Sequence, residues 1–364
     1  MKLLKPSPTP LPRKTMRIRI AGLVLLLPIL IATPAGATRL AGEFMALGAG
    51  ARALGMGGAF GAVADDASAV YWNPAGIAGI EKRQALAMHA EQFGDLVNYN
   101  FGSYVQPTKL IDPARKPAFG IGLIHLGVPD QPITNNLKPG PDGNGDGSPD
   151  YFIAPDGRLI YPDAYGSIPR ESDNSFAGLG SFAIVTSQGS VGGTLKLIYQ
   201  DAIAGESSMG IGIDLGYLRR DFLTPHLSVG AKLQDATGTY LSWSTGTTEF
   251  IYPMLKLATA YKLVSTGFNG SVLAAVDADI FFDDRQTASQ FWVDTFSADL
   301  HVGLELNFQN HVMLRGGLDG AGAETGMNET AGAGVYFGMF GLDYAYLHHD
   351  AFEATHRVSI LASF

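Results

Sequence analysis

Residues 142–150 read Asp142-Gly-Asn144-Gly-Asp146-Gly147-Ser-Pro-Asp150, oxygen-bearing side chains alternating with glycines. That spacing matches the first nine positions of a calcium loop, where a hard cation collects oxygens from alternate residues. Position twelve is Ile153, where such loops carry Glu. Asp142, Asn144, Asp146 and Asp150 would therefore hold calcium only with further oxygens from elsewhere, and a solvated acidic loop is the plainer alternative. Asp65-Asp66 offers two adjacent carboxylates, but an Asp here would also cap a short helix over Asp66–Trp72. His348-His349-Asp350 holds ligand types for a metal, yet neighbours on a strand point to opposite faces. There is no Gly-x-Ser-x-Gly, no His-Glu-x-x-His and no phosphate loop, and the glycine run 48–58 lacks the dinucleotide spacing. The expectation is a protein that is not an enzyme and has no cofactor, calcium aside.

One turn stands out by geometry. Pro74 fixes its own φ and pushes Asn73 out of the helical region, so the chain must bend at Trp72-Asn73-Pro74. The Asn73 side chain can satisfy backbone groups that the bend exposes. With Asp65 and Asp66, these three form a candidate gate. The surrounding segment 41–80 is rich in small residues and keeps no period of two. It is too apolar to hang in solvent and too irregular to face lipid, which leaves the inside of a barrel.

The rest of the chain supplies that barrel. The 364 residues include 46 Gly, and only 16% are charged. The absence of Cys excludes disulfide scaffolds, thiol catalysis and Cys-held zinc. In 296–308, Phe296, Ala298, Leu300, Val302, Leu304, Leu306 and Phe308 fall on one face, with Asp299, His301 and Glu305 on the other. Fourteen segments of this kind run from 83–92, 97–106 and 116–127 to 341–348 and 355–364. An even count, tight turns alternating with long polar loops, and aromatics near strand ends fit an antiparallel transmembrane β-barrel. About eight strands is the limit for a barrel filled by its own side chains, so a wider one has room for a plug. The inward face would carry Lys196, Asp214, Lys232, Lys256, Asp277, Asp279, Asp299, His301, Glu305, Arg315, Asp343 and Arg357. Such charges need partners, and a paired network anchoring the plug is favoured over a polar conduit.

Residues 1–37 hold six basic residues and no acid, then an apolar run from Ala21 to Ala32 and a small-residue site ending at Ala37. This reads as a secretory signal cut after Ala37, with Met16 an alternative start to Met1. Without those six, 19 basic residues face 34 acidic ones, a net charge of −15. A nucleic-acid partner is not expected. The division is thus signal 1–37, plug or hatch 38–82 and barrel 83–364, with 128–173 as the long extracellular loop.

The stretch from Gly50 to Phe60, then Ala64-Asp-Asp-Ala-Ser-Ala-Val-Tyr-Trp-Asn-Pro-Ala-Gly76, resembles the opening of the PorV/PorQ family. More loosely it is similar to the FadL long-chain fatty-acid transporter family. The ending Thr355-His356-Arg357-Val358 to Phe364 is also similar to the PorV/PorQ ending. The barrel reading implies an outer-membrane location with outer-membrane lipid as a partner, and Phe364, a terminal aromatic on the outward face of the last strand, resembles the signal read by the barrel-assembly machinery. FadL likeness implies hatch-gated passage or binding of hydrophobic small molecules. PorV likeness implies instead a type IX secretion component that docks or shuttles secreted proteins.

Overall fold

The computed structural model describes residues 42–92, 96–109, 112–133, 136–143, 145, 147, 149–161, 168, 170–265, 269–282, 289–294, 296–320, 327–348 and 354–364. The expected signal 1–37 with Met16, residues 38–41 of the plug, Asn144, Asp146, His349 and Asp350 lie outside them.

Alternation builds the wall. Its strands are β1 Gln84–Gln92, β2 Val97–Pro107, β3 Ala118–Pro132, β4 Arg170–Thr186, β5 Gly189–Ala202, β6 Glu206–Arg219 and β7 Leu227–Gln234. They continue as β8 Met254–Ser265, β9 Gly270–Phe281, β10 Phe296–Phe308, β11 Val312–Asp319, β12 Asn328–Phe337, β13 Phe340–Leu347 and β14 Thr355–Ser363. Each pairs antiparallel with the next, and β1 pairs with β14 from Gln84↔Ser363 to Glu91↔His356. The fourteen strands therefore close on themselves and leave no edge. Outward positions such as Leu197, Ile211, Leu215, Val302, Leu304, Leu342 and Ile360 are exposed apolar side chains. Their sequence neighbours, among them Lys196, Asp214, Gly303 and Glu305, are buried inside. Lipid is the solvent that accepts the first set.

Two features depart from the plain alternation of turns and loops. The β5–β6 connection is only the 3-10 turn Ile203–Gly205, although it lies at the end that carries the long loops. The stretch 235–249, which has the polar composition of a loop, contains most of a hairpin, Thr239–Trp243 with Thr248–Ile251. β7 stays on β6 only from Val229↔Arg219 to Leu233↔Leu215. A bulge at 235–238 follows, and Tyr240↔Ile211 resumes the pairing with β6. Asp235 takes a left-handed φ of 50° in this bulge and is buried. Turning inward brings its carboxylate to 2.6 Å from Lys196 Nζ, so a polar residue here marks a bend in the wall rather than a solvated loop.

Residues 42–80 fill the lumen with a 3-10 turn at Glu43–Leu47, α1 Ala51–Leu54, α2 Ala69–Trp72 and a second 3-10 turn at Pro74–Gly79. Gly42 lies against Ile251 of the hairpin, and Gly79 lies against Arg220, just past the other end of β6. The segment thus spans the lumen from the loop end to the short-turn end before entering β1.

Candidate functional site

Two wall glycines set how closely the plug can lie. A Cβ on Gly216 would overlap the Asn73 side chain, and one on Gly192 would meet the Pro74 carbonyl. The turn therefore rests directly on the backbones of β5 and β6. Asn73 is fully buried with φ −160°, extended as the following proline requires. Its Oδ1 accepts from Ala75 N–H at 3.2 Å, while Nδ2 donates to the carbonyls of Gly61 at 2.8 Å and Tyr217 at 3.0 Å. One side chain thus satisfies its own turn, another plug segment and the wall. Trp72 is buried beside it and donates from Nε1 to the Ala49 carbonyl at 2.6 Å. Its ring meets Tyr71 and Phe60 edge-on.

The two aspartates play a different part from the one expected. α2 begins only at Ala69, and Asp65 does not cap it. Asp65 instead pairs with Arg52 at 2.5 Å. Asp66 holds the chain before α2, accepting from Ser68 N–H at 2.9 Å and Ser68 Oγ at 2.5 Å, and also meets Arg52 at 3.2 Å. The cap expectation fails because local spacing cannot register a cation thirteen residues away.

Arg52 was absent from the expected gate, and it links the plug to the wall by a charged pair. Its Nε and Nη2 donate to both oxygens of Glu305 at 2.9 and 3.0 Å, a fork onto β10. Glu305 also receives Arg315, which reaches Asp343 at 2.7 Å. Burial opposes the Arg52 charge, but Asp65 and Glu305 outweigh it and hold the guanidinium well above its ordinary value. Burial raises the Asp66 carboxyl, with Arg52 partly offsetting it. A sequence clue was present: Arg52 is the single basic residue in 41–80, set among apolar neighbours. Such a cation in a lumen lined by acids must find a carboxylate.

Further ties circle the plug. Asp277 of β9 accepts from Phe60 and Gly61 N–H at 3.1 and 2.7 Å. His301 of β10 bonds the Gly57 carbonyl at 2.9 Å, and Ser359 of β14 accepts from Ala51 N–H at 2.8 Å. Lys232 of β7 donates to the Tyr71 carbonyl at 2.7 Å and pairs with Asp214, which also pairs with Lys196. Lys256 pairs with Asp279. The inward charges are buried and mostly matched in this way.

A small cavity with room for about one water lies beside the plug, not at Asn73-Pro74 but at Met45 and Tyr71. Ile124 and Leu179 complete its apolar side; Lys196, Asp214, Lys232 and Gln234 form its polar side. The calcium candidates lie elsewhere, in the loop between β3 and β4. Asp142 accepts from Gly145 and Gly147 N–H at 2.7 and 2.9 Å, and Asp150 accepts from Gly143 N–H at 2.9 Å. These described carboxylates organise the glycine turn itself. Among the described residues, no three acidic or imidazole side chains are grouped to hold a metal.

The comparisons with known proteins follow this geometry. Residues 31–109 match the model of an uncharacterised protein family, UPF0164. No curated protein matches the chain. Among solved structures, the P. putida toluene transporter TodX is similar at 14% identity, over 87% of this chain and 99% of that one, with a TM-score of 0.54. The monoaromatic hydrocarbon channel CymD is similar at 13% identity, over 87% and 98%, with a TM-score of 0.53. A Pseudomonas aeruginosa FadL homologue aligns at 11% identity, over 85% and 96%, with a TM-score of 0.48. At these identities the first two likenesses establish the fold: a closed fourteen-strand barrel of the outer-membrane kind.

Proposed function

We propose that this chain is an outer-membrane barrel whose plug gates the binding or passage of a small hydrophobic molecule. The observation that carries the reading is a closed fourteen-strand wall, too wide to fill itself, whose lumen is occupied by a separate segment, residues 42–80. The fold shared with a toluene transporter and a monoaromatic hydrocarbon channel supports it.

A second reading, a PorV-like docking barrel for secreted proteins, is favoured by one observation. The plug is tied to the wall by the Arg52–Glu305 fork and by Asp277 and Asn73, and a docking platform needs no opening. Liposome uptake of toluene separates the two. Deleting 41–80 should open the lumen, and Asn73→Ala should raise uptake above wild type while leaving the barrel folded. Asn73 makes three hydrogen bonds, each worth about 1 kcal/mol net, whereas the wall is closed all round. A deletion variant that stays closed to toluene would leave the docking reading in possession.

A further inference from the structure

One part of the outward face departs from the rest of the wall. β3 and β14 show the outside large apolar side chains, Ile121 and Leu123 on one, Val358 and Ile360 on the other. β1 and β2 lie between them and do not. The outward positions of β1 are Ala85, Ala87, His89 and Glu91. Those of β2 include Asn98, Asn100, Gly102 and Gln106, with Tyr104 as the one large ring. A wall strand that meets hydrocarbon puts apolar side chains at these positions, so β1 and β2 are suited to a different neighbour.

The polar groups on this face are joined across four strands. Glu91 lies 3.5 Å from His89 Nε2, His89 Nδ1 meets Asn100 Oδ1 at 2.7 Å, and Asn100 Nδ2 meets His125 Nδ1 of β3 at 3.2 Å. His125 Nε2 then meets Asn174 Oδ1 of β4 at 3.1 Å. The run is not confined to strand ends, where headgroups and water would account for it. His89 is the sixth of nine residues of β1, and His125 the eighth of fifteen of β3. The side chains of Glu91 and His89 remain 59% and 53% exposed, so their outer polar atoms would otherwise face hydrocarbon at a cost. The relief is uneven as well. Ala87, Gly102 and Leu123 stand in one row across β1, β2 and β3. A Cβ on Gly102 would meet open space, so Ala85, Ala87 and Gly102 form a hollow. Ile121 and Leu123, both exposed, stand beside it as a ridge.

We propose that this face joins two copies of the chain side by side in the membrane, about a two-fold axis that runs along the membrane normal at β2. Such an interface must be self-complementary, and this one carries both halves of each contact. The ridge of each copy faces the hollow of the other. Gly102 meets its own equivalent, where no side chain holds the two backbones apart. Glu91 on β1 turns toward the His125 imidazole of the second copy, and Asn100, donor and acceptor at once, meets its equivalent. A lipid chain complements none of these polar groups. The inference concerns the outside of the wall and goes beyond the reading of the lumen.

The chain has no cysteine, so one introduced thiol reports on its own symmetry mate. Gly102→Cys should form a disulfide-linked dimer when outer membranes carrying it are oxidised, because residues on the axis come within the Cα separation of about 5–6 Å that a disulfide needs. Val276→Cys, exposed on β9 across the barrel, should stay monomeric. Sedimentation of the full barrel in non-ionic detergent supplies a second readout. Wild type and Val276→Trp should sediment as dimers, and Gly102→Trp as a monomer that keeps its heat-modifiable band. A monomeric wild type without a Gly102→Cys dimer overturns the inference, and where Gly102→Cys yields no folded barrel, a monomeric wild type does so alone. Dimers that survive Gly102→Trp use another face and overturn it too. Equal cross-linking at Val276→Cys reports random collision, and a Gly102→Cys adduct with a different protein names another occupant; each overturns the two-copy assignment. A monomeric wild type that holds lipopolysaccharide, released by His89→Leu, would give the face to lipid headgroups instead. Every one of these results leaves the reading of the lumen untouched, since toluene uptake tests that separately.

Discussion

Arg52 joins the plug to the wall through chemistry that no other plug side chain repeats. It answers Asp65, Asp66 and Glu305 together, and all but Asp65 are buried. Removing one partner of a buried ion pair costs about 3–5 kcal/mol, because the charges left behind stay dry. Here Arg315 remains on Glu305 and softens that loss. Arg52→Ala should therefore free the plug without unfolding the wall. The chain has no cysteine, so a single Ala53→Cys reports on the plug uniquely. Maleimide labelling of that cysteine should be slow in the wild-type background and fast with Arg52→Ala, while the folded, heat-modifiable gel band persists. Equal labelling in both backgrounds would show that the fork does not hold the plug.

At the level of the element, β10 shows why the wall was legible and the plug was not. Along 296–308 each residue belongs to lipid or to lumen, two media that accept opposite side chains. A period of two is therefore enforced at every step. Val302→Arg should cost about 2–4 kcal/mol in the unfolding free energy measured in lipid vesicles, and Asn307→Arg near the strand end far less. A negligible shift for Val302→Arg would mean that this face does not meet lipid. The plug lacks such a constraint. Asn73-Pro74 could be read because proline acts on its immediate neighbour. The partners of Arg52 could not, since Glu305 lies 253 residues away and only closure of the wall brings it near. The bulge at 235–238 was hidden for a related reason. Asp-Ala-Thr-Gly has the composition of a solvated turn, and the buried Lys196 that draws Asp235 inward sits on a different strand.

Over the whole molecule, the pairing of β1 with β14 is the junction that closes the wall. Phe364 exchanges backbone hydrogen bonds with Arg83 at 2.9 and 3.0 Å, and its ring is exposed at the short-turn end. Deleting Phe364 should leave the paired strand intact yet lower the amount of heat-modifiable barrel recovered from outer membranes, if the terminal ring is what the assembly machinery reads. Normal recovery would assign that role elsewhere.

The same junction has a kinetic consequence. The plug precedes β1 in the chain, yet its partners Asp277, Glu305 and Ser359 lie on β9, β10 and β14. The last of these is made only when the final strand is in place. Contacts so far apart in sequence form late and slow a fold. Sealing the wall and drying the plug should consequently be one event with one rate. Refolding from urea into vesicles, followed in a Trp243→Phe, Trp292→Phe background, would show Trp72 fluorescence and the heat-modifiable band rising together. A Trp72 change that runs ahead of the band would mean that the plug collapses first and the barrel is wrapped around it.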